Sequence, residues 1–281
     1  MEPGPSISPS PWTRSQVYGV DFSGARDAGK RIWLARGVAE GDRLRIEWCR
    51  RGDCLPGSEK SRDKCLAALR EFIAGETVAV FALDFPFGLP QALVTEDDWE
   101  SFLLSFPARY LCPEAFRRLC READGGHELK RVTDCRSQTP FSPYNLRLFR
   151  QTYFGLRNVL NPLVRDGRAS VLPMQRALSD RAWLLEICPA STLKRECLYR
   201  PYKGKTDEHR TARASILERL EATGTLSIPD QAVQSTVLED RHGDALDSVI
   251  AALAAFRALR APAFPTVEDN DKYALEGYVY V

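Results

Sequence analysis

Short apolar runs near the start of the chain predict three β-strands. Gln16–Ser23, Arg31–Val38 and Leu44–Cys49 are rich in residues that favour strands. The segment Glu40–Asp42 between the last two runs predicts a tight turn. We therefore expect the three strands to form an antiparallel meander.

A helix and a buried strand are predicted next, followed by a long helical stretch. Apolar residues recur at helical spacing in Ser61–Ala74, whereas Thr77–Leu83 is nearly all apolar, as in strands buried on both faces. From about residue 95 to about residue 174 the pattern is mainly helical, with an apolar stripe over Tyr144–Leu160. Because Trp183–Cys188 predicts another buried strand, the helical stretch is expected to be an insertion between strands of one sheet.

The remaining pattern completes an alternation of strands and helices. It predicts helices at about Asp207–Ala222 and Gly243–Leu259 and a short strand at Gly277–Val281. Residues 1–16 are rich in Pro, Ser and Gly and predict a disordered tail, not a signal peptide. We therefore expect residues 17–281 to form one α/β domain, with a mixed sheet of three antiparallel strands and then parallel strands, flanked by helices.

Three acidic residues interrupt or end the predicted strands. Asp21 lies in the apolar first strand, Asp84 follows the buried strand, and Glu186 lies between Leu185 and Ile187. Burying a charge is costly unless a partner compensates it. One such residue could be a core ion pair or a cap, but three in separate strands favour a shared site.

The last helix adds two carboxylates. Asp244 and Asp247 lie at its start, on a face that continues with the small residues Ser248, Ala251 and Ala255. Such a face can pack closely on a strand and hold both carboxylates over the strand's end. The alternative is that both acids only cap the helix and complement its dipole.

Carboxylates without Cys or His favour a hard cation, Mg²⁺ or Mn²⁺, over zinc. We therefore predict Asp21, Asp84, Asp244 and Asp247 as metal ligands and catalytic residues, with Glu186 as a further catalytic candidate. Two such ions, about 3.5–4 Å apart, can clamp the attacking and leaving oxygens of a phosphodiester. The expected reaction is two-metal hydrolysis of nucleic acid.

The distribution of charge along the chain is more informative about binding partners than the total charge. The 281 residues include 39 Lys and Arg and 38 Asp and Glu, and the net charge of +1 argues against a purely electrostatic nucleic-acid binder. Residues 114–213 nevertheless hold 20 basic and 11 acidic side chains. We expect this basic block to bind an anionic partner, DNA or RNA; the alternative is a set of solvated arginine-rich helices.

Candidate substrate contacts lie next to the acidic positions or in the basic block. A basic loop around Gly204 follows two tyrosines, so it could bind phosphates or stack on a base. An ordinary solvated loop there, and a tight turn after Asp21, are the alternatives. The candidates are Ser23, Arg131, Arg136, Lys203 and Lys205.

Cysteine and histidine usage argues against other kinds of site. The eight cysteines show no C-x-x-C spacing and the three histidines do not cluster, so neither a zinc site nor a Cys/His hydrolase is predicted. Without a secretion signal we expect reduced thiols and a cytoplasmic protein. No apolar run approaches the roughly 20 residues of a membrane helix, so no membrane partner is expected.

Five motifs, taken in order, carry a resemblance to a known family. They are GVDFSGA (19–25), ALDFPFGLP (82–90), LLEICPAS (184–191), DALDSVIAALAA (244–255) and EGYVYV (276–281). They resemble the RNase H-like superfamily near its RuvC-type resolvase branch, and more specifically a domain-of-unknown-function family (number 429) of predicted RNase H-like nucleases. The resemblance covers nearly the whole chain after the tail and implies an RNase H-like fold and a metal-dependent nuclease.

The chain departs from the resolvase pattern at two positions. RuvC-type enzymes have a glutamate where this chain has Asp84, so a shorter side chain must reach the metal, and they define no role for Glu186. Two alternatives to the nuclease stay open. One is a non-catalytic RNase H-fold binding module. The other is a phosphotransferase of the actin–sugar-kinase kind, although the chain has no second glycine-rich phosphate loop.

Overall fold

The strands of this protein form one mixed sheet. A computed structural model describes residues 14–262, 264 and 271–281. The strands in this part of the chain are β1 (Gln16–Asp21), β2 (Trp33–Glu40), β3 (Arg43–Arg51), β4 (Val80–Leu83), β5 (Ala169–Leu172), β6 (Ala182–Ile187), β7 (Leu226–Ser227) and β8 (Val279–Tyr280). Their order across the sheet is β5-β6-β4-β1-β2-β3-β7, and β8 also pairs with β6.

Helices connect the strands and cover both faces of the sheet. Helices α1 (Ala28–Arg31) and α2 (Arg62–Gly75) lie between β1 and β4 along the chain. Helix α3 (Trp99–Arg109) begins the insertion. The insertion continues with α4 (Pro113–Ala123), α5 (Val132–Arg136) and α6 (Phe149–Gly155), which runs through a π-helical turn into α7 (Asn161–Arg165). The rest are α8 (Pro189–Arg195), α9 (Asp207–Ala222), α10 (Gln231–Glu239), α11 (Asp244–Arg260) and α12 (Tyr273–Glu276).

Strand directions bring three carboxyl ends to one edge of the sheet. The antiparallel pairing of β1, β2 and β3 confirms the predicted meander. β4 runs parallel to β1, and β6 runs parallel to β4. Strands β2 and β3 lie to one side of β1, and β4 and β6 lie to the other. Such a reversal of strand order opens a crevice at the carboxyl edge of an α/β sheet. The ends of β1, β4 and β6 all lie at this edge.

The two faces of the sheet carry separate apolar cores. Side chains alternate along each strand, so Tyr18 and Phe81 lie on one face and Val17 and Val80 on the other. Tyr18 stacks on Phe81 with ring centroids 4.6 Å apart, on the face covered by α2 and the insertion. Helices α8 to α11 cover the opposite face.

A glycine lets α11 lie directly on β1. A Cβ atom at Gly19 would be 1.9 Å from the carbonyl oxygen of Ser248 and 2.4 Å from the backbone nitrogen of Ala252. No side chain fits in that space, so the helix backbone touches the strand. The small-residue face of α11 therefore packs as expected, and its first turn lies over the end of β1.

Several predicted boundaries are wrong. The helical insertion predicted to end at about residue 174 ends earlier, because Ala169–Leu172 form β5, which pairs with β6. The predicted helix over Tyr144–Leu160 begins only at Phe149, and Leu146 is 65% exposed and lies outside its apolar stripe. Leu226–Ser227 and Gln231–Glu239 form a strand and a helix that the pattern did not predict.

The predicted disordered tail is also too long. Residues 1–13 lie outside the described residues. Arg14 is buried, and its guanidinium donates hydrogen bonds to five backbone carbonyls, among them those of Thr77, Ala79 and Arg181. It also stacks on Trp183, with Cζ 4.0 Å from the ring centroid. Ordered structure therefore begins by Arg14, two residues before β1.

The helix–strand contact predicts that Gly19→Ala is strongly destabilising. The added methyl group can be accommodated only by moving the backbone of α11, so we expect the free energy of unfolding to fall by at least about 2 kcal/mol. Gly75→Ala is the matched control, because its Cβ meets nothing within 4 Å. Denaturant unfolding followed by circular dichroism measures both, and equal stabilities would contradict the close packing.

Candidate metal centre and its flanking cavities

Three of the predicted carboxylates meet at the carboxyl edge of the sheet. Asp21 ends β1, and Asp244 and Asp247 lie in the first turn of α11. One carboxylate oxygen from each lies within 4.8 Å of the others. Asp21 and Asp247 are buried and Asp244 is partly buried. This acidic triad has the composition and spacing of a site for a hard divalent cation.

The start of α11 frees both of its aspartates for this role. Gly243 precedes the helix with φ at +77°, a left-handed conformation that favours glycine. The carboxylate of Asp240 accepts a hydrogen bond from the backbone N–H of Ala245 at 3.0 Å. Asp240 thus provides the side-chain cap that was the alternative role for Asp244 and Asp247.

Lys203 and Tyr202 bind the carboxylates that α11 contributes to the triad. The Lys203 ammonium lies 2.6 Å from Oδ2 of Asp247 and 3.6 Å from Oδ1 of Asp244. The Tyr202 hydroxyl donates a 2.5 Å hydrogen bond to Oδ1 of Asp247. Lys203, predicted as a substrate contact, is therefore an ion-pair partner of the triad, although half of its side chain is exposed.

Asp84 lies beside the triad and forms its border with the next cavity. It directly follows β4, is half-buried, and is not among the oxygens that lie within 4.8 Å of one another. The side-chain amide of Gln151 on α6 donates a hydrogen bond to the carbonyl oxygen of Asp84. The predicted fourth ligand is thus a neighbour of the triad rather than a member of it.

The carboxylates of this site are poorly solvated and repel one another. Burial raises the pKa of Asp84 to about 8, and the nearby charge of Asp247 contributes in the same direction. Burial likewise raises the pKa of Asp21 well above its usual range, and that of Asp244 to a smaller degree. The positive charge of Lys203 opposes each of these shifts. A site of this kind favours the binding of an additional cation.

Glu186 belongs to a different group, and its predicted catalytic role is not supported. Both of its oxygens accept hydrogen bonds from the Arg131 guanidinium, which also binds Asp134 at 2.8 Å. The backbone N–H of Phe87 donates a further bond to Glu186 at 2.9 Å. Glu186 and Arg131 are buried almost completely. The pair is thus the core ion pair that was the alternative for a buried acid.

This ion pair also corrects the prediction for Arg131. The side chain is 0% exposed, and its donors are bonded to Asp134, Glu186 and the carbonyl oxygen of Glu276. Its location leaves it no donor for a substrate. Arg136 is exposed, but it donates a 3.3 Å hydrogen bond to the hydroxyl of Tyr273 and lines neither cavity described below.

Asp84 lines two cavities that adjoin the triad. The larger, of about 540 Å³, includes Asp21 and Asp244 and is bordered by cationic side chains; we call it the basic cavity. Ser23 and Lys205 line it, as the sequence predicted for substrate contacts, together with Arg31, Arg241 and His242. It contains the partly exposed side of the triad.

The second cavity, of about 400 Å³, has mainly apolar walls; we call it the aromatic cavity. Phe85, Phe141, Tyr199 and Tyr202 line it, and Asp247 lies at its border. Asp84, Gln151 and Lys203 line both cavities. The carboxylates thus lie at the junction of a cationic space and an aromatic one.

Several side chains that line these two cavities were not predicted from the sequence as site residues. Gln151 gave no signal beyond its place in the basic block, and Arg31 and Arg241 lie far from that block along the chain. Tyr199 and Tyr202 were noted only as neighbours of a basic loop. Asp21 was predictable because it is a charge in an apolar strand, and Asp244 and Asp247 because they lie on the small-residue face at the start of the last helix.

Comparison with family models, curated proteins and solved structures found no match to this chain in any of the three. Within the described residues, no helix combines the length and the apolar character needed to cross a bilayer. Functional inference for this protein therefore depends on the geometry of the site itself.

The buried ion pair predicts a large cost for removing its arginine. Arg131→Gln leaves Glu186 and Asp134 buried without their cation, so we expect the free energy of unfolding to fall by about 3–5 kcal/mol. Arg118→Gln is the control, since Arg118 and Glu122 form an ion pair with both side chains more than half exposed. Its cost should be below about 0.5 kcal/mol by the same denaturation measurement. Similar losses in the two variants would contradict the role of Arg131.

The raised pKa of Asp84 predicts that the metal-free protein loses stability as pH rises. A carboxyl group with a pKa of about 8 when folded holds its proton more tightly than in the unfolded chain, where the value is 3.8. Its stabilising contribution is complete at low pH and is lost as pH rises toward 8. Each such group adds a slope of about 1.4 kcal/mol per pH unit.

Denaturant unfolding in EDTA at pH 5, 6, 7 and 8 measures this slope. Asp84→Asn should reduce it, whereas Asp42→Asn, which changes a fully exposed carboxylate, should not. A stability that is constant or rises between pH 5 and pH 8 would show that these carboxylates are ionised throughout.

Proposed function

We propose that this protein is a metal-dependent nuclease with an RNase H-like fold, which hydrolyses phosphodiester bonds in nucleic acid. The observation that carries the proposal is the convergence of Asp21, Asp244 and Asp247 at the carboxyl edge of the sheet, next to a cation-lined cavity. Acidic residues from separate elements gather here despite their mutual repulsion. Such an arrangement is costly and is typical of functional sites.

The donor set fits Mg²⁺ or Mn²⁺. It consists of carboxylate oxygens alone, with no cysteine or histidine in the group, which disfavours zinc. Asp21, Asp244 and Asp247 would hold the ion, and Asp84 is the neighbouring carboxylate that completes the predicted set. When bound, the metal supplies the Lewis acidity that activates water and stabilises the leaving oxygen of a phosphodiester.

Other side chains in the basic cavity are suited to holding the substrate backbone. Arg31, Lys205 and Arg241 line this cavity with positive charge, and phosphate is the anion that nucleic acid presents. Tyr202 holds the carboxylate of Asp247 through its hydroxyl, and so fixes its orientation toward Asp21. Lys203 compensates part of the triad's charge before a metal or a phosphate arrives.

The topology supports the RNase H-like part of the proposal. The antiparallel β1–β3 meander, the parallel strands β4 and β6 and the final long helix α11 have the order that the sequence motifs imply. The proposed ligands lie at the end of β1, after β4 and at the start of α11. These are the positions at which the resemblance to RuvC-type nucleases places acidic residues.

The packing at Gly24 does not favour the phosphotransferase alternative. A kinase-like function would need the glycine after Ser23 to admit a phosphate group. At Gly24 an added Cβ would instead lie 2.5 Å from the carbonyl oxygen of Arg150. The glycine is therefore required by close packing against α6.

We predict that cleavage requires both a divalent cation and the triad. Purified protein should cleave labelled DNA or RNA with Mg²⁺ or Mn²⁺ and not with EDTA. Asp21→Asn and Asp247→Asn should each lower the rate at least about 100-fold, because each removes a charged ligand. Gel electrophoresis of single-stranded, duplex and junction substrates is the measurement.

Asp42→Asn is the matched control, since its carboxylate is fully exposed in the β2–β3 turn, and its rate should equal that of the wild-type protein. Cleavage that persists in both triad variants would exclude this site. A folded wild-type protein that binds no divalent cation and cleaves no substrate would favour the alternative of a non-catalytic binding module.

A further inference from the structure

We infer that the aromatic cavity binds one unpaired nucleobase beside the bond to be cleaved, so that the substrate is a single-stranded nucleic acid. The inference rests on the proposed function, because it places the scissile phosphate at the triad. It adds the class of substrate and the residues that bind it.

The aromatic cavity lies next to the carboxylates of the candidate metal centre. Asp247 and Asp84 border it, and the same Asp84 also borders the basic cavity. A strand whose phosphate lies at the triad therefore has a cation-lined space on one side and an aromatic space on the other. In a nucleic-acid strand each base branches from a sugar that is joined to the neighbouring phosphate, so a base can enter the aromatic cavity while that phosphate lies at the triad.

The walls of the aromatic cavity carry rings with cationic side chains beside them. Phe141 and Tyr199 line the cavity, and Tyr199 is 55% exposed, which is unusual for so large a ring. Arg147 lies over the ring of Phe141, with Cζ 5.5 Å from its centroid, and Lys194 lies over that of Tyr199 at 5.6 Å. Rings held in this way at a cavity with cations nearby are suited to stacking on a base that carries a phosphate.

The aromatic cavity has a volume suited to a small ligand such as a single base. The volume of about 400 Å³ is in the range of roughly 300–1,000 Å³ that small-molecule sites occupy. Arg131 and Glu186 also line the cavity, and they are paired with each other. A base can enter such a space only when it is unstacked and unpaired. A duplex would have to open before it could fill the cavity.

The test is binding of short strands in EDTA, so that cleavage plays no part. Fluorescence anisotropy would measure the affinity of a labelled 12-nucleotide single strand, of the same strand with one abasic nucleotide placed at successive positions, and of its blunt duplex. We expect one abasic position and Tyr199→Ala each to weaken binding about ten-fold. The two effects should not add, since each removes one side of the same stack. The duplex should bind at least ten-fold more weakly than the single strand.

Two control variants separate stacking from loss of structure. Tyr199→Phe keeps the ring and should bind like the wild-type protein. Leu111→Ala changes a residue that is 76% exposed and outside the cavity, and should also have no effect. Circular dichroism melting confirms that Tyr199→Ala remains folded.

Three results would overturn the inference. They are additive effects of the abasic position and Tyr199→Ala, duplex binding as tight as that of the single strand, and a mononucleotide that binds as tightly as the 12-nucleotide strand. The last result would identify a site for free nucleotides. A failure here combined with metal-dependent cleavage would leave the nuclease proposal intact. Absence of cleavage combined with the expected binding results would overturn the nuclease proposal and leave the base-binding cavity intact.

Discussion

The direct contact between α11 and β1 is the constraint on which the site depends. Gly19 has no side chain, so the backbone of the helix lies against the backbone of the strand. The first turn of α11 then lies over the end of β1, and Asp244 and Asp247 come within reach of Asp21. A larger residue at position 19 would push the helix away and separate the carboxylates. Packing at the centre of the sheet thus determines the electrostatics at its edge.

Two opposing electrostatic effects act on the carboxylates at this edge of the sheet. Buried carboxylates repel one another, and burial raises the pKa of Asp21 and Asp84. Lys203 and Tyr202 partly compensate this repulsion through their contacts with Asp247. The basic cavity leaves Asp21 and Asp244 facing open space lined by cations. An acidic site in a cationic surround suits an anionic substrate that is bound through a metal.

The parts of this arrangement that the sequence predicted are those that depend on local pattern. Asp21 was visible as a charge in an apolar strand, and the small-residue face of α11, which begins with Asp244 and Asp247, indicated close packing on a strand. The bounds of α9 followed directly from helical spacing. Each of these features involves residues close together along the chain, where periodicity carries information about the face that is buried.

The parts that were not predicted depend on contacts between distant segments. Arg131 and Glu186 are 55 residues apart, so no local pattern could show that each is the other's partner. Lys203 looked like an exposed loop residue, and only the fold brings it to Asp247. β5 was missed because its four residues follow a long helical stretch and gain their strand conformation from pairing with β6. For such short segments, pairing with a neighbouring strand, and not local propensity, determines whether a strand forms.

The central claim is that the acidic triad holds a divalent metal ion. The most direct test is the anomalous scattering of crystals soaked in Mn²⁺ at millimolar concentration. The account predicts a manganese peak within coordination distance of carboxylate oxygens from Asp21, Asp244 and Asp247. A map without a peak at the triad, with the Lys203 ammonium still bound to Asp247, would contradict it.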